Sequence, residues 1–136
     1  MSVEELTKFE TIMIIDDNTI DLYITSRVIH KNNIAKKVLE YTCALDALDY
    51  LKQNARNKSV LPNLIFVDIY MPLMSGFEFI EAYNELPMDF KKHCRVFVVS
   101  STIDEMDINR ACADKNVNAF HEKPITKVFL EGIESH

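Results

Sequence analysis

The sequence predicts an α/β fold: a doubly wound sheet of five parallel strands, in the order 2-1-3-4-5, with five helices on its two faces. Three observations carry this. An apolar run followed by an amphipathic stretch recurs five times along the 136 residues, the pattern of consecutive strand–helix units. The runs are unequal. Ile12 to Ile15, Leu64 to Val67 and Val96 to Val99 are continuous and apolar, whereas the second and fifth are broken by Lys36, Lys37, Glu40, Asn116 and Asn118. A strand covered on both faces reads as a continuous apolar run, and a broken run suits a sheet edge. Runs two and five at the edges, joined by right-handed crossovers, give the order above. Finally, Leu64-Ile65-Phe66-Val67 leads straight into Asp68. A buried strand thus delivers a charge to the carboxyl edge of the sheet, where open α/β sheets bind ligands.

Each element follows from local sequence. The first strand is expected over Thr11–Asp16 and the first helix over Thr19–His30. Asn18 is placed to cap that helix, and Asp21 suits the positive end of its dipole. Ile20, Ile24 and Val28, spaced i, i+4, i+8, are expected to face the core. A weaker second strand, Lys36–Tyr41, leads to a helix over Ala44–Asn54 with Ala44, Leu45, Ala47, Leu48 and Leu51 as its apolar stripe. After a polar connection comes the third strand, Leu64–Asp68. Ser75-Gly76-Phe77-Glu78 then forms a capping box for a helix that stops before Pro87. The fourth strand is Arg95–Ser100, followed by a second capping box, Thr102-Ile103-Asp104-Glu105, at the start of the fourth helix. The fifth strand is expected over Asn116–His121, and a helix from Ile125 buries Ile125, Val128, Phe129 and Ile133. The methionines read as core filler, and His30, His93, His121 and His136 as surface residues.

Composition narrows the function. Apolar residues make up 48% and charged residues 26%, the balance of a globular domain. A net charge of −6 argues against a nucleic-acid surface, which needs a basic stripe. Cys43, Cys94 and Cys112 are far apart and show neither a disulfide framework nor zinc-ligand spacing. No signal peptide or membrane-length apolar run is present, so the expected location is cytoplasmic. The two glycines, Gly76 and Gly132, are too few for GxGxxG or for the P-loop GxxxxGK[ST].

The chemistry lies at the strand ends. The first strand ends in Asp16-Asp17, the third in Asp68 and the fourth in Ser100, while the fifth leads to Lys123-Pro124. Neighbouring strands are about 4.8 Å apart. Asp16 and Asp17 therefore flank Asp68 on one side and Ser100 on the other, and Lys123 reaches in on its four-carbon stem. Three converging carboxylates repel one another unless a cation joins them. A hard divalent ion with oxygen ligands answers that need, and Mg²⁺ suits sites that also hold phosphate. The hydroxyl and the ammonium are left for phosphoryl oxygens, so the set reads as a site that accepts a phosphoryl group on a carboxylate. Singly, each residue has a plainer reading: Asp16-Asp17 as a capping turn, Ser100 as a strand-end hydroxyl, Lys123 as a solvated charge.

In this order at strand ends, Asp16-Asp17, Asp68, Met71-Pro72, Gly76, Ser100 and Lys123-Pro124 resemble the signature of the two-component response-regulator receiver domain, over roughly residues 10 to 133. The resemblance implies a flavodoxin-like fold and one receiver domain spanning 1–136. It implies that Asp68 takes a phosphoryl group from a sensor histidine kinase or phosphotransfer protein. Asp16, Asp17, Asp68 and the backbone carbonyl of Tyr70 would hold Mg²⁺, and Ser100 and Lys123 would bind the phosphoryl oxygens. Phe120 stands where the family has an aromatic whose rotamer follows the hydroxyl residue, and the Lys123–Pro124 bond is expected to be cis. Ser100 replaces the commoner Thr, and Tyr70 and Thr102 occupy positions that tune phosphoryl lifetime. The implied output is a conformational switch of the face made by the fourth helix, fifth strand and fifth helix, read by a downstream protein or a second copy of the chain.

The leading expectation is a stand-alone phosphorylation switch rather than an enzyme. A haloacid-dehalogenase-type phosphatase would use a similar residue set, but it places its nucleophile in a DxD on the first strand, where this chain has Asp16-Asp17-Asn18. A receiver that docks without being phosphorylated is the other alternative. A flavin binder of the same fold would need a Ser/Thr/Gly-rich first loop, which is absent here.

Overall fold

The computed structural model describes residues 7–101 and 104–134. Its five strands are β1 (Phe9–Ile15), β2 (Ala35–Tyr41), β3 (Leu64–Asp68), β4 (Arg95–Ser100) and β5 (Val117–Glu122). All pair in parallel, in the order β2-β1-β3-β4-β5. This is the predicted order, with the apolar runs central and the broken ones at the edges.

Among the described residues the helices number six rather than five: α1 (Thr19–Lys31), α2 (Ala44–Gln53), α3 (Gly76–Asn84), α4 (Met88–Lys91), α5 (Glu105–Ala113) and α6 (Lys127–Gly132). The unpredicted α4 is a single turn. Pro87, with φ −55°, stops the preceding helix and opens this turn, which buries Phe90 edge-on to Tyr83 with ring centroids 5.6 Å apart. The predicted fourth and fifth helices are thus α5 and α6. None of the described helices is long and apolar enough to cross a membrane.

Alternation along the strands divides the core. Met13, Ile15, Ile65, Val67, Val96 and Val98 pack with α2, α3, Phe90 and Ala111. Ile12, Ile14, Leu64, Phe66, Phe97 and Val99 point the other way, to α1 and α6.

The helix faces are less well predicted than the strands. In α1 the buried residues are Leu22, Thr25, Ser26 and Ile29, whereas Ile20 and Ile24 are exposed at 69% and 44%. Leu22, Ser26 and Ile29 are the true i, i+4, i+7 stripe. A serine disguises it, because the Ser26 hydroxyl donates to the Glu40 carboxylate at 2.7 Å and so tolerates burial. Leu45 and Val128 are likewise exposed, and Leu130 takes the buried place in α6. Of the methionines, Met13 is fully buried, but Met88 and Met106 are exposed. His121 is not a plain surface residue: it stacks on Phe129 with centroids 3.7 Å apart.

The caps bear on the site. Asn18 accepts from the backbone N–H groups of Ile20 and Asp21, as predicted, and the Ser75/Glu78 capping box is complete in both directions. At α5 the cap is Asp104, accepting from the Met106 N–H; Thr102, the expected cap, lies outside the described residues.

Between β3 and α3 the chain folds back tightly, with Leu73 at φ 68° and the Gly76 N–H donating to the Ile69 carbonyl at 2.8 Å. A Cβ on Gly76 would fall 2.3 Å from the Asp68 carbonyl oxygen, so only glycine fits without a shift of the loop. Gly132 has nothing within 4 Å of its corresponding position. Gly76→Ala is therefore expected to lose about 1–3 kcal/mol, as overpacked sites do, while Gly132→Ala stays near wild type. Urea unfolding of the two variants checks the contrast.

Candidate functional site

The register delivers the site. Ile15 pairs with Val67, so the next residues, Asp16 and Asp68, leave β1 and β3 side by side. Asp68 pairs with Val99, Ser100 with Glu122, and Lys123 follows Glu122. The Lys123 N–H donates to the Ser100 carbonyl at 2.9 Å, and the Lys123–Pro124 peptide is cis.

The predicted site residues converge. Asp16, Asp68 and Ser100 are buried and Asp17 is exposed. Asp16 Oδ1 accepts from the Asn18 N–H at 2.9 Å, and Asp68 Oδ1 accepts from the Ile69 N–H at 2.9 Å. These bonds turn each carboxylate's other oxygen toward the cleft. There Lys123 Nζ lies 2.7 Å from Asp16 Oδ2, 3.0 Å from Asp21 Oδ2 and 3.4 Å from Asp68 Oδ2. Asp16, Asp17 and Asp68 each offer an oxygen within 4.8 Å of the others.

Charge is out of balance. Four carboxylates (Asp16, Asp17, Asp21 and Asp68) gather here, and the Lys123 ammonium meets three of them, Asp16, Asp21 and Asp68. Burial pushes Asp68 up to about 6; the Asp16 charge adds to this, while Lys123 and the Ile69 N–H pull the other way. Burial alone lowers the Lys123 pKa, but hydrogen bonds to Asp16 and Asp21 and the charges of Asp68 and Asp16 outweigh it and raise the value. The donor set is all oxygen and net negative, which fits a hard divalent cation. Mg²⁺ ligands stand about 3.0 Å apart when adjacent and about 4.2 Å when opposed, so oxygens within 4.8 Å of one another would draw together to hold the ion.

The remaining predicted residues sit around this centre. Tyr70 is 59% exposed, and its hydroxyl donates to the Asp107 carboxylate in the first turn of α5. Phe120 is half-buried in β5 and packs against the core on the α2/α3/α5 side. Thr102 lies outside the described residues. Sequence reasoning missed Asp21 as a member of the site and assigned it only to the helix dipole. The signal was its place one turn beyond Asp16-Asp17, on the helix those residues lead into.

The Asp68 value has a consequence for stability. Asp68 holds its proton more tightly in the fold than at its ordinary value of 3.8, so ionising it destabilises the native state. Its contribution to stability is therefore best below pH 4, worsens as pH rises through about 6 and is level above that. In metal-free buffer Asp68→Asn is expected to exceed wild type in stability by about 2 kcal/mol near pH 8, and the gap is expected to close toward pH 4. Denaturant unfolding across pH measures it.

Comparison with known proteins agrees with this fold. Among solved structures, a two-component response regulator from Cytophaga hutchinsonii superposes with a TM-score of 0.83 at 24% identity, covering 90% of this chain and 92% of that one. In sequence, the two-component response regulator ARR17 of Arabidopsis thaliana is 28% identical over 131 residues, covering 92% of this chain and 82% of its own length. Hybrid signal transduction histidine kinase C of Dictyostelium discoideum is 28% identical over 123 residues, and this chain spans only 9% of that protein's length. The family model described as the response regulator receiver domain matches residues 12–132. The chain, with five parallel strands that bring an acidic cluster and one lysine to a common edge, belongs to the response regulator receiver domain family.

Proposed function

We propose that this protein is a phosphorylation switch in which Asp68 accepts a phosphoryl group from a phosphohistidine of a sensor kinase or phosphotransfer protein. The observation that carries the reading is the Asp68 carboxylate, held by the Ile69 N–H on one oxygen and facing the Lys123 ammonium with the other. Asp68 attacks phosphorus, a carboxylate O–P bond forms as the histidine N–P bond breaks, and the histidine nitrogen keeps the electron pair. Lys123 is assigned to the arriving phosphoryl oxygens, and the Ser100 hydroxyl to the same task from the next strand. Asp16, Asp17, Asp68 and the Tyr70 carbonyl would hold Mg²⁺, which would supply charge neutralisation to the phosphoryl oxygens.

The output is assigned to the α5–β5–α6 face. Once phosphoryl oxygens take up Ser100 and Lys123, the new charge biases that face, with Phe120 as its aromatic reporter. Two observations support the choice of face. Only Ala111 of α5 is buried, so this helix is thinly held. Tyr70, two residues past Asp68, reaches α5 through Asp107, so a movement of the acceptor loop has a path to the helix. A downstream protein or a second copy of the chain would read the change, and Tyr70 and Thr102 are assigned to tuning its lifetime.

The donor is assigned to the α1 side of the cleft. Ile20, Tyr23 and Ile24 on α1 and Leu73 in the β3–α3 loop are exposed apolar side chains, a setting suited to transient protein contact.

Intact mass after incubation with acetyl phosphate and Mg²⁺ tests the acceptor. One added phosphoryl group, absent in Asp68→Asn and lost with chelator, is the expected result; an adduct surviving in that variant would overturn it. The donor surface is tested separately. Ile24→Asp is expected to slow transfer from a phosphorylated phosphotransfer protein about ten-fold or more, as loss of an interface anchor does, while labelling by acetyl phosphate stays unchanged.

A further inference from the structure

We propose that Asp21 is a positioning residue: it draws the Lys123 ammonium outward and thereby keeps Asp16 and Asp68 open to a divalent cation. The inference rests on the reading of Asp16, Asp17 and Asp68 as cation ligands. Lys123 Nζ stands 2.7 Å from Asp16 Oδ2, 3.0 Å from Asp21 Oδ2 and 3.4 Å from Asp68 Oδ2. Two of those three carboxylates belong to the group whose oxygens lie within 4.8 Å of one another, and Asp21 does not. Lys123 and a cation thus compete for the carboxylates of Asp16 and Asp68, whereas Asp21, outside that group, meets Lys123.

The three carboxylates differ in depth. The Asp21 side chain is 37% exposed, against 7% for Asp16 and 11% for Asp68, so its pull on the ammonium is directed toward the mouth of the cleft. Asp21 is also well anchored: its N–H donates to the capping Asn18 side chain at 3.1 Å, which fixes the first turn of α1. An ammonium has three N–H donors, and burial makes an unmet donor costly. Without the Asp21 carboxylate, Lys123 has Asp16 and Asp68 left among these partners and settles more firmly on the oxygens the cation needs.

A simpler role would be long-range attraction, since any nearby carboxylate draws a cation. The two are separable, because through-space attraction operates whether or not Lys123 is present, whereas positioning operates only through it. The test is Mg²⁺ affinity by titration calorimetry on the whole chain, for wild type, Asp21→Asn, Lys123→Met and the double variant, with Asp21→Glu as the conservative control. The positioning role predicts a Mg²⁺ Kd about five-fold weaker in Asp21→Asn, near wild type in Asp21→Glu, and unchanged by Asp21→Asn in the Lys123→Met background. Equal weakening in both backgrounds, or none in wild type, would overturn it. Asp21→Ser carries the same comparison if circular dichroism finds Asp21→Asn unfolded. Absence of Mg²⁺ binding by wild type would instead sink the cation-site reading on which the inference stands.

Discussion

One ammonium among carboxylates is the constraint on which this structure turns. Lys123 is within 3.4 Å of Asp16, Asp21 and Asp68, on side chains delivered by α1 and the ends of β1 and β3 and by the loop after β5. Ionising Asp68 within this cluster is unfavourable for folding, because burial raises its pKa and the Asp16 charge adds to it, while the same carboxylates favour the Lys123 ammonium. The cluster persists because the surrounding elements leave those groups little choice. Parallel pairing puts Asp16 beside Asp68, the Lys123 N–H is tied to the Ser100 carbonyl, and Gly76 lets the acceptor loop fold back against Asp68. The fold holds carboxylates where solvent would keep them apart, and a bound divalent cation would offset the resulting excess of negative charge.

How much of this was legible in the sequence depended on the element. Strands were plain, because a strand buried on both faces is built mostly of apolar residues. Continuous runs at β1, β3 and β4 therefore identified the centre, and the lysines and asparagines of β2 and β5 the edges. Helix faces were less plain, since a helix buries one stripe and a satisfied polar group can sit within it. Ser26, bonded to Glu40, hid the true face of α1, and Ile20 and Ile24 drew attention to the wrong one. A one-turn helix such as α4 has too few residues for periodicity to register, and Phe90 alone records its burial.

The site followed the same division. Asp16, Asp17, Asp68, Ser100 and Lys123 were legible because each stands at or just beyond a strand end, where backbone register alone determines the neighbours. Asp21 was not, because its place depends on the rotation of α1. Nor was the Tyr70–Asp107 contact, which joins a loop to a helix through two side chains. Both unforeseen contacts involve side chains carried by helices, whose facing depends on helix rotation rather than on strand register.

The most direct test of this account is a crystal structure of the protein with Mg²⁺ and beryllium fluoride, a phosphoryl mimic that bonds to a carboxylate oxygen. The account predicts a fluoride adduct on Asp68, the metal on Asp16, Asp17, Asp68 and the Tyr70 carbonyl, and Lys123 and Ser100 on the fluorides. Metal held elsewhere, or an adduct on any other carboxylate, would contradict it.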